Sequence, residues 1–138
     1  MQRTAPILTM AELGIAASIT SILQFSSAVI QYLVDVKNAS KDRQKLILEI
    51  GSVTGLLFLL QDLAERAQWA DPWLASIRAL GVPHGPLAQF KGAMERLAST
   101  LRLGNRWAWP FEKKEIDNVL RTIERQKALF ALALQNDH

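Results

Sequence analysis

The feature that most constrains this chain is a long stretch without any charged residue, at positions 13–34. A helix over this stretch is about 33 Å long, close to the roughly 30 Å thickness of the hydrocarbon core of a bilayer. Its apolar residues fall on one face of the helix, and Ser, Thr, Gln and Ala fall on the opposite face. Hydroxyls and amides cost far less to remove from water than ions do, so protein or lipid can cover this helix on most sides.

The apolar face of this helix supplies the candidate residues for membrane insertion or oligomerisation. The opposite face has too many polar side chains for a permanent transmembrane span. Two interpretations stay open: a central helix of a soluble bundle, or a helix that keeps its apolar face inside a bundle and later delivers it to a membrane or partner. The candidate residues are Leu13, Ile15, Ile19, Ile22, Leu23, Val29, Ile30 and Leu33.

Apolar residues recur at helical spacing along the rest of the chain, and no alternating strand pattern occurs. The chain is therefore predicted to be all-α, a helical bundle of four main helices plus one short helix. Residues 1–9 are predicted to form a flexible N-terminal arm, and residues 10–138 a single domain. The predicted helices span about residues 10–36, 41–68, 71–80, 86–103 and 110–134.

The second of these helices is apolar over much of its circumference. Leu46, Ile50 and Val53 begin its main stripe, and further apolar residues lie on both flanks. A helix of this kind is predicted to lie at the centre of a bundle. Gly51 and Gly55 are four residues apart on one side, which predicts a close helix crossing within the bundle.

Two groups of basic residues are candidates for contact with lipid headgroups or a partner. One group follows the uncharged helix, and the other aligns on one face of the last helix. Ordinary solvated surface is the simpler interpretation of each group, and contact with headgroups or a partner is the functional one. The net charge of +3 is compatible with anionic lipid and too small to indicate nucleic acid. The candidate residues are Lys37, Lys41, Arg43, Lys114, Arg121 and Arg125.

No arrangement of residues in the sequence predicts catalysis, a metal site or a cofactor. The chain has no cysteine, and its two histidines are His84, between Pro and Gly residues, and His138. Neither a histidine-based triad nor a histidine-rich metal site is expected from these. The stretch from Gly51 to Gly55 lacks the lysine of a P-loop, so nucleotide binding of that kind is not expected.

Several short sequence segments resemble the N-terminal domains of fungal NLR-like (STAND/NACHT) receptors, in the HeLo-like group of helical bundles. Their order and spacing carry the resemblance, which covers most of residues 10–137. The segments are MAELGIAAS at 10–18, VKNA at 36–39, GPL at 85–87, WPF at 109–111 and LALQ at 132–135.

This resemblance implies an effector or signalling domain of an innate immune receptor, linked to programmed cell death and heterokaryon incompatibility. It implies self-association, contact with the receptor's nucleotide-binding domain, and movement from the cytoplasm to anionic lipids of the plasma membrane through the N-terminal helix. The alternative is a homotypic or adaptor interaction module that does not insert into membranes. In that case activity is expected to depend on exposed residues such as Trp73 or Trp107, or on the basic residues aligned on the last helix, Lys114, Arg121 and Arg125.

Overall fold

The computed structural model describes residues 10–66, 74–105 and 107–135. Within these ranges the chain forms five helices and no strand, which confirms the all-α bundle. The predicted arm at residues 1–9 and the predicted start of the short helix lie outside the described residues, as do Trp73 and His138. The helices are α1 (Met10–Asp35), α2 (Asp42–Arg66), α3 (Leu74–Leu80), α4 (Pro86–Leu103) and α5 (Lys113–Gln135).

The four longer helices form two antiparallel pairs, α1 with α2 and α4 with α5. Each helix of one pair packs against one helix of the other: α1 against α4, and α2 against α5. The first turn of α2 meets the first turn of α5, where Asp42 and Lys113 form an ion pair at 3.2 Å. The helix α1 therefore lies diagonally across the bundle from α5, while α3 contacts α1, α2 and α5.

One continuous hydrophobic core receives side chains from all five helices. Phe90 of α4 meets Phe130 of α5 edge to face, with ring centroids 6.3 Å apart, and both rings are fully buried. Such large buried rings contribute strongly to the free energy of folding. The stripe predicted for α2 is confirmed as buried: Leu46, Ile50, Val53, Leu57, Leu60 and Ala64.

The predicted central position of α2 is wrong. One side of this helix packs on the core, but Leu48 and Phe58 are each 59% exposed and Leu59 is 56% exposed on the other side. Gly51 and Gly55 also face outward, and a Cβ placed on either would have no atom within 4 Å apart from the adjoining residues and the backbone of α2 itself. The predicted close helix crossing at these glycines is wrong as well, because no neighbouring helix of the described chain lies over them.

The last helix begins at Lys113, three residues later than predicted from Pro110. The reason is local: the backbone N–H of Glu112 donates to Oε1 of Glu115 at 2.9 Å, which is one half of a capping box. Before it, Trp109 and Phe111 pack edge to face with centroids 5.0 Å apart and lie half-buried against the core. The chain therefore enters α5 through an aromatic anchor.

Candidate functional site

The residues predicted for membrane insertion lie in the hydrophobic core. Six of them are buried, and Ile30 is partly buried against the same core; Leu13 belongs to α1, but its side chain is outside the description. In the folded bundle α1 presents neutral residues such as Ser18, Gln24 and Gln31 to the surface. The apolar face can reach a membrane only if α1 leaves the bundle. The six buried residues are Ile15, Ile19, Ile22, Leu23, Val29 and Leu33.

Two polar contacts attach α1 to α2. Near the middle of α1, the hydroxyl of Thr20 accepts a hydrogen bond from the side-chain amide of Gln61. At its C-terminal end, Nη1 of Arg43 donates to the carbonyl of Val36 at 2.5 Å and lies 3.4 Å from the carbonyls of Leu33 and Val34. A cation at this position satisfies the last carbonyls of a helix and interacts favourably with its dipole. Arg43, a predicted headgroup contact, is thus placed as a helix cap.

A buried polar group interrupts the core-facing side of α1. The side chain of Ser26 is fully buried, and its hydroxyl has no hydrogen-bond partner. An unsatisfied buried hydroxyl costs on the order of 1–3 kcal/mol. This residue therefore weakens the attachment of α1 to the bundle at a position where an apolar side chain would strengthen it.

The predicted basic residues fall into two places. Lys37, Lys41 and Lys114 are exposed at the end of the bundle where α2 and α5 begin. Arg121 and Arg125 are exposed farther along α5, where Nη1 of Arg121 donates to Oδ1 of Asn118 at 3.2 Å. Because α5 lies diagonally across from α1, the row on α5 does not flank the uncharged helix.

Lys113 joins the two helices at that end of the bundle. Its Nζ lies 3.2 Å from Oδ1 of Asp42 and 3.2 Å from Oδ1 of Asp117. These hydrogen bonds, the one with Asp42 above all, raise the pKa of Lys113 above its ordinary value. The contact helps to fix the register of α5 against α2.

An exposed tryptophan marks the loop at the same end. The side-chain amide of Asn38 donates to the carbonyl of Trp107 at 2.6 Å, and the backbone N–H of Trp107 donates to Oδ1 of Asn105 at 2.9 Å. The loop backbone is thereby held, while the indole stays 64% exposed. Trp107 is therefore available to a partner, as the interaction-module interpretation requires.

The clefts between the described helices are open to solvent. A cleft of about 250 Å³ lies between α1 and α4, and Lys91 is the ionisable side chain on its wall. Among the described residues, no group of three or more His, Cys, Asp or Glu side chains is placed to hold a metal ion. The arrangement offers surfaces for contact with other molecules.

No known family matches this chain. Neither a protein-family model, nor a curated protein, nor a solved structure gives a significant match.

Within the described residues, Gly14–Asp35 and Asp42–Arg66 are long and apolar enough to cross a membrane, judged by length and composition. Core helices of soluble bundles have the same properties, so these two helices are weak evidence for an association with membranes.

The exposure of the outward side of α2, which we call the α2 outer face, was not predicted from the sequence. Residues 46–61 contain a single charge, Glu49, and its carboxylate lies 3.3 Å from Nζ of Lys127 on α5. A run with a single charge and with apolar residues on every side could have indicated an exposed apolar surface. The α2 outer face consists of Leu48, Gly51, Ser52, Gly55, Phe58 and Leu59.

Proposed function

We propose that this chain is a non-catalytic effector or signalling domain that acts by clustering, as the resemblance to the N-terminal domains of fungal NLR-like receptors implies. In this proposal a receptor core with a nucleotide-binding domain gathers copies of the bundle. The supporting observation is α1: a helix of bilayer length without a charge from residue 14 to residue 34, whose apolar face is held inside the bundle.

Clustering loosens α1 from the bundle, and the released helix inserts into the plasma membrane. Release exposes six buried aliphatic side chains at about 1.5–3 kcal/mol each, so it is unfavourable unless lipid or neighbouring copies bury them again. The unsatisfied hydroxyl of Ser26 lowers the cost of release. Lys37, Lys41 and Lys114 attract anionic headgroups by about 1 kcal/mol each near the surface.

A homotypic or adaptor module that stays folded is the second candidate. Two observations favour it: six of the residues proposed for insertion are core residues, and α2 exposes the large apolar side chains of Leu48, Phe58 and Leu59. In this case the bundle recruits partners through surfaces such as the α2 outer face and Trp107. The fold of the domain then persists during signalling.

A covalent bridge that holds α1 on α2, which we call the α1 lock, distinguishes the two candidates. A charge at Ile22 would test core packing rather than insertion, because this side chain is buried. The chain has no cysteine, so the double variant Thr20→Cys with Gln61→Cys can be bridged by a short bifunctional thiol reagent. The bridge holds α1 on α2 where their side chains already form a hydrogen bond. The readout is dye release from anionic and neutral liposomes, with the domain fused to an oligomerising tag.

The matched control bridges α2 to α5 through Asp42→Cys with Lys113→Cys and leaves α1 free. The membrane-executor proposal expects leakage from anionic liposomes by the clustered protein, loss of leakage with the α1 lock, and full leakage with the control lock. Leakage that survives the α1 lock contradicts release of α1. A folded, clustered protein that leaks no dye under any condition supports the interaction module instead.

A further inference from the structure

We infer that the α2 outer face is a dimerisation surface for a second copy of this chain, with the two α2 helices packed antiparallel. This inference needs the folded bundle and does not depend on release of α1. It starts from exposure: three large apolar side chains of α2 lie in solvent, although the same helix already buries a complete stripe on its other side. Contiguous exposed apolar surface of this kind marks an interaction site more often than isolated exposed residues do.

The shape of the face is complementary to itself. Two glycines, Gly51 and Gly55, form a notch, because nothing beyond the adjoining residues and the backbone of α2 lies within 4 Å of either Cβ position. Leu48 projects on one side of the notch, and Phe58 and Leu59 project on the other. Because glycine lets two helices approach closely, the projections of one copy can lie beside the notch of another. A flat lipid surface would leave the notch unfilled.

The order of these residues along α2 favours the antiparallel arrangement. Relative to Val53, Gly51 and Gly55 are two residues away on either side, and Leu48 and Phe58 are five residues away on either side. Val53 itself is buried on the other side of α2. A two-fold axis on the outer side of α2, at the height of Val53, therefore brings the glycines of the two copies together and places each Leu48 against an aromatic or aliphatic side chain of the other copy. Such an isologous contact closes at two copies.

The charges at the two ends of the face agree with this arrangement. Lys41 and Lys45 are exposed at the N-terminal end of α2, and Asp62 and Glu65 are exposed at its C-terminal end. Antiparallel pairing brings each basic end near the acidic end of the other copy, although Arg66, paired with Asp62 at 2.8 Å, offsets part of the negative charge. Parallel pairing would place like charges together, which is unfavourable.

The size of the face sets the expected affinity. A single helix face of this length buries less than the roughly 800 Å² per partner of a standard interface, so we expect a dissociation constant on the order of 10 µM. Sedimentation equilibrium of the full chain should show a concentration-dependent monomer and dimer. Leu59→Glu should weaken the dimer at least tenfold. The control Leu132→Glu changes a leucine of similar exposure on α5 and should leave the dimer unchanged.

Cysteine cross-linking tests the direction of pairing, because each variant carries its only thiol at the introduced position. In the antiparallel dimer the two copies of residue 52 are offset by about 3 Å along the helix, and those of residue 62 by about 27 Å. Ser52→Cys should therefore form a covalent dimer under mild oxidation, and Asp62→Cys should not. Efficient cross-linking of both variants would indicate parallel pairing and overturn the inference.

The remaining outcomes are also decisive. A wild-type chain that is monomeric up to about 1 mM, with no cross-linking at Ser52→Cys, rules out the dimer. Vesicle binding by a monomeric wild-type protein, lost in Leu59→Glu but kept in Leu132→Glu, would show that lipid covers this face. Circular dichroism of each variant confirms that the helices are retained.

Discussion

The two antiparallel helix pairs share one core but differ sharply in their outer surfaces. The outward side of α4 and α5 is rich in charge, including Lys91, Arg96, Arg121 and Arg125. The outward side of α1 is neutral from residue 14 to residue 34. The outward side of α2 is mainly apolar from residue 46 to residue 61, and its exposed charges lie at the two ends of the helix. Charged side chains on an exposed helix cost little and keep a surface solvated.

The comparison indicates that the needs of folding alone do not explain the outer surface of the α1 and α2 pair. Each pair needs one apolar face for the common core, and each has one. The second apolar face of α2 adds nothing to the core and invites association with another molecule. Its presence is therefore better explained by what the surface contacts than by stability of the isolated bundle.

The largest expected effect compares a buried and an exposed apolar residue from the two pairs. Phe90→Ala should lower the free energy of unfolding by about 3–5 kcal/mol, because it leaves a cavity beside Phe130. Leu59→Ala should change it by less than about 0.5 kcal/mol at concentrations where the chain is monomeric. Urea unfolding monitored by circular dichroism measures both. Similar losses in the two variants would show that the α2 outer face is covered within one chain.

The second prediction concerns the cap that joins α1 to α2. Arg43→Met removes the donor to the terminal carbonyls of α1 and should cost about 1–3 kcal/mol. Hydrogen exchange should become faster in the last turn of α1. Arg125→Met, on the outer row of α5, serves as the control and should have little effect. Equal destabilisation by both variants would contradict a capping role for Arg43.

A smaller effect, of the opposite sign, is expected at the buried hydroxyl of α1. Ser26→Ala should raise the free energy of unfolding by about 1 kcal/mol, because it removes an unsatisfied polar group from the core. The exposed neighbour Ser27→Ala corrects for the higher helix propensity of alanine. A loss of stability in Ser26→Ala relative to Ser27→Ala would show that the hydroxyl has a partner in solution.

The smallest effect is a pH dependence at the exposed junction of the two pairs. Hydrogen bonds with Asp42 and Asp117 raise the folded-state pKa of Lys113 above the ordinary value of 10.5. The resulting stabilisation is present below that ordinary value and is lost as the pH rises through the folded-state pKa. The stability difference between wild type and Lys113→Met should therefore shrink above about pH 10.5. A constant difference across this range would argue against the contact.

Local sequence patterns were sufficient to predict the helices and most of the core. The spacing of apolar residues is set by the helical repeat, so the stripe of α2 and the face of α1 could be found without neighbours. The glycine and proline at the ends of α4 are local signals too, and they marked its bounds correctly. The start of α5 was missed because Glu115 caps the backbone at Glu112, a competing local bond.

The neighbours of each helix could not be predicted from the sequence, because they depend on how the whole bundle packs. Periodicity shows that a face is apolar, but it does not show whether a second helix covers that face. The crossing predicted at Gly51 and Gly55 is therefore missing from the described part of the chain. Likewise, the charge of Arg43 is visible in the sequence, whereas its attachment to the end of α1 requires the turn between α1 and α2. Contacts between residues far apart in sequence depend on packing, and packing is a property of the whole bundle.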